Sequence, residues 1–332
     1  MDRKQEDMQF LGVFGIYKEA CKVIFSLKKI FTKITLTLIL PLTFIFLAHI
    51  EISNVLFKKI ITNEEDSSET KEGTTKYKNL SDTISFEWTT LWLFKLVFFV
   101  FLLIFSLLST SAVVYTIASI YTGRDVSFKK VMSVVPKVWK RLMVTFLCTF
   151  IAFFAYNVLT FLVIILWALT TGIREGGIAI FVVIVILYII GFVYLSIVWH
   201  LASVVTVLED SYGIQAMLKS KELIKGKMGL ALIITLKLSF SFFIVQFAFE
   251  KLVVHGWRLG MIERMAYGVI CFILLCKLFL FGLVIQTVVY FVCKSYHHEN
   301  IDKSALSDHL EVYLGDYVPL KAKDVQLEQF QV

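Results

Sequence analysis

Six apolar runs, each long enough to cross a lipid bilayer, constrain this chain more than any other feature. They lie at about residues 34–57, 91–120, 142–170, 178–208, 229–250 and 266–293. A membrane span needs ~20 mostly apolar residues to cross the hydrocarbon core. Because lipid offers the backbone no hydrogen-bond partners, each span must be a helix. The sequence therefore predicts an all-α membrane helical bundle with six transmembrane helices.

The rest of the chain leaves little room for a separate soluble domain. Hydrophobic residues make up 58% of the 332 residues, above the ~45–50% of soluble proteins. The longest polar stretches, 58–90 and 294–332, are shorter than the ~50 residues that an independent domain usually needs. We expect an N-terminal segment over 1–33, one membrane domain over 34–293 and a tail over 294–332. Because residues 1–33 lack the apolar core of a signal peptide, the first span is expected to be an uncleaved anchor.

Lysine and arginine are concentrated in alternate connecting segments, and this predicts the orientation. The segments that include both termini hold 21 basic residues, whereas the opposite set holds nine. Cytosolic loops of membrane proteins carry an excess of lysine and arginine, so both ends of the chain are predicted to be cytosolic. The net charge of +7 is then a signal of topology, not of nucleic-acid binding. The expected location is the endomembrane system (endoplasmic reticulum) or the plasma membrane.

Three of the predicted cytosolic segments, at 14–29, 126–141 and 212–227, have apolar residues at helical spacing and lysines on the other face. This pattern is typical of amphipathic helices that lie in the membrane interface. It predicts a unit of interfacial helix, span in and span out that is repeated three times; three ordinary amphipathic loops are the alternative. Pro136 cannot donate a backbone hydrogen bond, so the second of these helices is expected to break near Val135.

The basic residues of these segments are candidate contacts for anionic lipid headgroups, because each one near an anionic leaflet contributes ~1 kcal/mol to membrane binding. They are Lys28, Lys29, Lys137, Lys140, Arg141, Lys219, Lys221, Lys225 and Lys227. Membrane lipids, anionic on the cytosolic leaflet, are therefore the predicted partners. The tail over 294–332 is a further candidate site for a protein partner.

The first two spans and their connection carry four local features. Residues 58–90 are predicted to form a polar non-cytosolic loop, flexible over 62–82. Asn79 begins an N-glycosylation sequon there, on the side where glycans are added but close to span 2. Pro41 is expected to kink span 1. The second half of span 2 is rich in Ser, Thr and Ala, which let helices approach closely in lipid, so we expect the most crowded part of the bundle there.

Polar side chains inside the spans mark a candidate intramembrane site. His200 and Lys237 each lie ~12 Å from the predicted cytosolic end of their spans, and Lys277 is near the middle of span 6. A lysine at that depth costs at least ~2.5–3.5 kcal/mol on insertion scales, which favours a polar cavity or a site for an anionic headgroup. The alternative is that these lysines snorkel or bond to neighbouring carbonyls; for Lys95, in the outer third of span 2, snorkelling is expected.

No motif specifies a reaction. The chain has no His-Glu-x-x-His, no phosphate-binding glycine-rich loop and no Gly-x-Ser-x-Gly elbow, so no catalytic, cofactor-binding or metal-binding residue is proposed. Glu209 and Asp210 close span 4 just before the third interfacial segment, where Asp210 or Ser211 is expected to cap the helix. A metal site at this pair of acids is a remote alternative.

Two features lie at the end of span 6. Cys293 is a candidate for palmitoylation, with an unmodified thiol as the alternative. His297 and His298 are adjacent, and because consecutive residues do not share a helix face, both are expected to be solvated.

Two stretches carry a resemblance. The segment VTVLEDSYGIQAMLKSKELIKGK at 205–227 and the tail HLEVYLGDYVPL at 309–320 resemble plant multi-pass (six-span) membrane proteins of unknown function, and this resemblance covers nearly the whole chain. The first segment is also similar, more distantly, to the membrane domain attached to some bacterial glycerophosphodiester phosphodiesterases. This chain lacks their soluble barrel, so that activity is not implied, and the family supplies no catalytic residues to carry over.

These patterns favour a non-enzymatic integral membrane protein that binds or organises lipid or partner proteins at the cytosolic face. The alternative is a transporter or channel with a polar site near Lys237, Lys277 and His200. A threefold repeat in one sense argues against transport, because many carriers are built from an inverted pair of repeats.

Overall fold

The computed structural model describes residues 8–70, 73–123, 126–170, 177–256 and 259–297, and within these ranges the regular structure is entirely helical. In chain order the helices are α1 (Val13–Ser26), α2 (Lys28–Ile34), a π-helical turn (Thr35–Ile39), α3 (Leu40–Glu69), α4 (Thr75–Tyr121), α5 (Phe128–Thr170), α6 (Gly177–Leu208), α7 (Ile214–Ile224), α8 (Met228–Phe249), a second π-helical turn (Glu250–Val254) and α9 (Met261–Tyr296).

Six helical segments are long and apolar enough to cross a membrane, and each contains one of the predicted spans. They are Lys28–Glu69, Thr75–Tyr121, Phe128–Thr170, Gly177–Leu208, Met228–Val254 and Met261–Tyr296. The prediction of an all-helical chain with six helices long and apolar enough to cross a membrane is therefore confirmed for the described residues. The helices are longer than the apolar runs: α4 has 47 residues, or about 70 Å at 1.5 Å per residue, and its polar end extends beyond a hydrocarbon core of ~30 Å.

The polar stretch between spans 1 and 2 is helical, not a flexible loop. Helix α3 continues to Glu69 and α4 begins at Thr75, so the prediction of a loop over 58–90 is wrong for most of its length. The two helices are joined at Glu87, whose carboxylate is 2.9 Å from Lys59 Nζ and accepts a 2.7 Å hydrogen bond from Asn63 Nδ2. These paired polar contacts hold the helical hairpin together where neither helix is apolar.

Pro41 and Pro136, the two prolines in the described ranges, affect their helices differently. Helix α5 passes through Pro136 without a break, so the predicted interruption near Val135 is wrong. Val135 and Val138, which flank Pro136, are buried in the interior of the protein. The irregularity predicted at Pro41 takes the form of the π-helical turn just before it, in which the Leu40 N–H donates to the carbonyl of Thr35.

The chain forms two compact units. The first consists of the described parts of 1–31, 110–236 and 283–332, and the second of those of 32–109 and 237–282. In the first unit α5, α6 and α7 pack against one another. Residues 110–119 are all buried there, which agrees with the crowding predicted from their small side chains.

The second unit has its own apolar core, made by α3, α8 and α9. Its buried residues are Leu47, Val245, Phe249, Cys271 and Leu275. The ring of Phe279 packs against those of Phe46 and Phe242, with centroids 5.9 Å and 5.0 Å away. Hydrophobic side chains therefore fix these three helices in one arrangement.

Candidate functional site

The first unit contains a charged cluster centred on Glu209, directly after the C-terminus of α6. Glu209 Oε1 accepts hydrogen bonds from Tyr290 Oη at 2.6 Å and from Lys294 Nζ at 2.8 Å. Its other oxygen, Oε2, lies 2.9 Å from Lys219 Nζ. Only 12% of the Glu209 side chain is exposed, so one mostly buried carboxylate is shared between a lysine of α7 and the last turns of α9.

Arg141 of α5 completes the cluster through the backbone. Its Nη2 donates a 2.7 Å hydrogen bond to the carbonyl oxygen of Glu209, and its Nη1 is 3.8 Å from Asp210 Oδ1. The guanidinium group also lies 5.6 Å from the ring centroid of Tyr212. The cluster therefore connects α5, α7 and α9 to the end of α6.

Opposing influences act on the ionisation of Glu209. Burial by itself raises the pKa of the carboxyl group, because it penalises the charged form. The positive charge of Lys294, and the hydrogen bonds from Lys294, Tyr290 and Lys219, outweigh burial and hold the pKa below its ordinary value. The Glu209 carboxylate is therefore ionised at neutral pH.

A second group of contacts surrounds the turn between α7 and α8. Gly226 has a φ of +86°, and the Tyr296 ring lies so close that a Cβ at Gly226 would clash with it. Lys227 Nζ lies 4.8 Å from the centroid of the same ring and donates to the carbonyl of Gln9 at 2.9 Å. The turn is therefore held from both sides by residues distant in sequence.

His297, directly after α9, contacts this turn. The prediction that its side chain is simply solvated is therefore wrong. Its Nε2 is 3.1 Å from the carbonyl oxygen of Leu223 and 2.9 Å from that of Lys225. These carbonyls lie at the C-terminal end of α7, where a helix leaves acceptors without intrahelical donors. The side chain thus caps α7 from the end of α9. His298 lies outside the described residues.

The nine basic residues predicted to contact lipid divide into two groups. Arg141, Lys219 and Lys227 make the internal contacts described above. The others are exposed: Lys28, Lys29, Lys137, Lys140, Lys221 and Lys225. Three of the candidates therefore make internal contacts that stabilise the protein, and the other six have exposed side chains.

The apolar residues of α7 likewise divide into a buried group and an exposed group. Leu223 and Ile224 are buried at 1–2% exposure, whereas Ile214 and Leu218 are 64% and 56% exposed. The sequence analysis assigned such residues to one membrane-facing surface. The structure shows that half of that surface packs inside the protein, because α7 lies against α5 and α6.

The three candidate intramembrane residues belong to two different units. His200 Nδ1 is 3.2 Å from Gln286 Oε1, and its ring stacks on Trp199 in the first unit. Lys237 and Lys277 belong to the second unit and are exposed. The existence of a shared polar site stays a prediction.

Several single-residue predictions can be placed. Asn79 is exposed in the early part of α4, and its glycosylation stays a prediction. Lys95 Nζ lies 5.5 Å from the ring centroid of Trp92 in the next turn. Cys293 is fully buried, so its thiol is inaccessible to palmitoylation in this structure; Cys21 on α1 is the exposed cysteine.

Glu209 is the functional residue whose role the sequence analysis missed. The helix that follows it has Gly213 at its N-cap and no side-chain capping bond, so the capping role predicted for Asp210 or Ser211 is wrong. The signal that the sequence offered was an acidic residue directly after a strongly apolar run, with one lysine in the next helix, α7, and another near the end of α9. In the described ranges no group of three or more His, Cys, Asp or Glu side chains is placed to hold a metal ion.

The fold and the clusters define the class of this protein as an integral membrane protein with six apolar helices. The chain belongs to the family described as "Domain of unknown function (DUF8558)", whose model matches residues 1–330. Comparison with curated proteins and with solved structures found no significant match. The resemblances to plant membrane proteins and to the bacterial membrane domain stay predictions.

Proposed function

We propose that this protein is a non-enzymatic integral membrane protein that binds anionic lipid headgroups at its cytosolic face. The observation that supports the proposal most strongly is the outer surface of α7. There the exposed apolar residues Ile214 and Leu218 stand beside the exposed Lys221 and Lys225. An apolar row flanked by lysines suits the boundary between acyl chains and headgroups.

Helix α1 repeats this combination. Phe14 and Phe25 are 84% and 72% exposed, and Lys18 and Lys22 are exposed between them. Both helices precede a membrane-spanning segment, as the proposed unit of interfacial helix, span in and span out requires. The N-terminal part of α5 is the third copy in this proposal.

The charged cluster fixes the position of α7, the helix proposed to bind lipid. Lys219 and the backbone around Glu209 hold the inner side of the helix, and His297 holds its C-terminal end. The outer lysines are therefore presented from a helix with little freedom to turn, which lowers the entropic cost of binding.

The orientation in this proposal places both termini in the cytosol, in the endoplasmic reticulum and related endomembranes or in the plasma membrane. The tail after α9 is a candidate site for a protein partner. Transport is the second candidate, but the exposure of Lys237 and Lys277 supports an outward-facing role for these residues better than a lining of the bundle interior.

The test compares lipid retention by charge variants of exposed lysines. The protein is incubated in mixed phosphatidylcholine and phosphatidylserine, purified in detergent, and analysed by native mass spectrometry. K221Q/K225Q should retain up to about 30-fold less phosphatidylserine, because each basic residue contributes ~1 kcal/mol near an anionic surface. Retention of phosphatidylcholine should not change.

Two matched variants serve as controls. K221R/K225R keeps both charges and should retain phosphatidylserine as the unmodified protein does. K76Q/K78Q removes two exposed lysines from the start of α4, on the predicted non-cytosolic side, and should have little effect. Equal phosphatidylserine retention by K221Q/K225Q and the unmodified protein would contradict the proposal.

A further inference from the structure

Lys277 is isolated near the middle of α9, the 36-residue helix Met261–Tyr296. The nearest charged residues on either side within this helix are Arg264 and Lys294, about 20 Å and about 25 Å away at 1.5 Å per residue. Lysines near helix ends extend their ammonium group to the membrane interface. Lys277 is instead far from both ends of α9, and the helix is apolar on both sides of it.

The Lys277 side chain faces away from the core of the second unit. Leu275 is fully buried and Cys271 is 5% exposed, and both belong to that core. Lys277 is about 160° around the helix from Leu275 and is exposed. The ammonium group is therefore presented outward at the depth of the acyl chains.

An apolar row leads to this lysine along the same side of α9. Ile270, Ile273 and Leu274 are 52%, 47% and 43% exposed, and Lys277 follows at the spacing of one helical face. In the described ranges no hydrogen bond or ion pair reaches its ammonium group. Ionisable residues at this depth usually pair with one another or with backbone carbonyls, and a carboxylate is the partner that complements the charge of Lys277.

The sources of such a carboxylate are few. The described acidic residues in or beside the apolar runs all lie within about six residues of a run end, so a second copy of this chain in the same orientation places none at the depth of Lys277; they are Glu51, Glu87, Glu209, Asp210, Glu250 and Glu263. Lipid phosphates lie at the interface and not at the centre of the bilayer. A transmembrane helix of another protein remains as a source that can place a carboxylate beside Lys277.

We propose that the α9 ridge, defined as Ile270, Ile273, Leu274 and Lys277, docks a transmembrane helix of another protein with an aspartate or glutamate in the middle of its span. The apolar residues supply close packing between the helices, and the lysine supplies orientation and selectivity. This surface belongs to the second unit, whereas the lysines of α7 belong to the first, and the proposal does not depend on lipid binding at α7.

The test uses a synthetic leucine–alanine transmembrane peptide with one central glutamate, and the same peptide with glutamine. The full chain carries a photocrosslinking residue at Ile273 and is reconstituted with either peptide in phosphatidylcholine nanodiscs. The glutamate peptide should crosslink about threefold to thirtyfold more than the glutamine peptide, the range expected for one polar contact between membrane helices. Equal crosslinking of the two peptides would overturn the proposal.

Variants locate the effect at the lysine. K277L should abolish the preference for glutamate, and because it removes a charge from an apolar helix it should fold. K237L changes another exposed lysine of the second unit and should keep the preference. K277E should reverse the preference and select a peptide with a central lysine; failure of this reversal, or unchanged preference in K277L, would overturn the proposal.

Water accessibility provides an independent readout. In K277C, a membrane-impermeant thiol reagent should leave the new cysteine unlabelled while it labels the exposed Cys21. Labelling at position 277 would mean that water reaches this depth. That result would overturn the proposal of a dry helix-docking surface and favour a transport pathway.

Discussion

Glu209 has a single negative charge where the side chains of Lys219, Lys294 and Arg141 converge. Removal of this carboxylate leaves the lysines near one another without compensation, in a site where only 16% of the Lys294 side chain is exposed. Breaking a fully buried ion pair costs ~3–5 kcal/mol. The cost here should be smaller, because Lys219 is about one-third exposed and solvent screens its charge.

E209Q is therefore expected to lower the free energy of unfolding by about 2 kcal/mol. The measurement is unfolding in bicelles with increasing SDS, monitored by circular dichroism. D210N provides the matched control, because the Asp210 side chain is 93% exposed and its loss should cost less than about 0.5 kcal/mol. Similar destabilisation in the two variants would contradict the central role of Glu209.

The ionisation of Glu209 should also make the stability of the folded protein depend on pH. The pKa of Glu209 is lower in the folded protein than its ordinary value, so its stabilising contribution is present above the unfolded-state pKa of ~4.3. That contribution is lost as pH falls through the lower, folded-state value. The difference in stability between the unmodified protein and E209Q should therefore shrink only in strongly acidic solution.

At the scale of elements, the short helix α7 is held by its ends. Gly226 follows its C-terminus with a φ of +86°, a conformation that other residues adopt at a cost. The Tyr296 ring occupies the space that a side chain at Gly226 would need. This turn sets the direction in which the chain passes from α7 into the membrane-spanning α8.

G226A should therefore destabilise the protein by about 1–3 kcal/mol through backbone strain, and more if Tyr296 and Lys227 lose their contact. G229A is the matched control, since Gly229 lies in the first turn of α8 and has no atom within 4 Å of a built Cβ. Alanine is the better helix former by about 1 kcal/mol, so G229A should be neutral or stabilising. Thermal unfolding of the two variants in detergent gives the comparison, and equal effects would contradict it.

Sequence patterns predicted the structure of an element correctly where the whole element has one kind of surroundings. The apolar runs became membrane-spanning helices, and the small residues at 110–119 became a fully buried stretch. Predictions of secondary structure failed for polar segments whose side chains bond to another segment of the chain. Residues 58–69 and 75–90 are helical because Lys59, Asn63 and Glu87 bond across the hairpin, which composition alone did not indicate.

For the whole molecule, the proposed topology makes a prediction about cysteine labelling. Cys21 is exposed on α1, and one membrane-spanning helix separates it from the exposed Lys76 at the start of α4. In sealed vesicles of known orientation, an impermeant maleimide should label Cys21 from the cytosolic side and the cysteine of K76C from the other side. Cys293 should stay unlabelled until the protein is denatured, because it is fully buried.

C21S provides the control for labelling at other native cysteines. Labelling of Cys21 and of K76C from the same side would contradict a membrane crossing between them. Labelling from opposite sides, with Cys21 outside, would keep the six spans and reverse the orientation derived from the basic residues.

The sequence by itself determined that the chain forms six helices long and apolar enough to cross a membrane, because a hydrocarbon core requires long apolar segments with internally satisfied backbones. It also located the polar residues that such segments tolerate poorly. Only the tertiary structure decided which charges are shared and which are presented outward. Arg141 and Lys219 meet Glu209, while Lys221 and Lys277 face outward, because pairing depends on which helices pack together, and that depends on contacts between residues far apart in the chain.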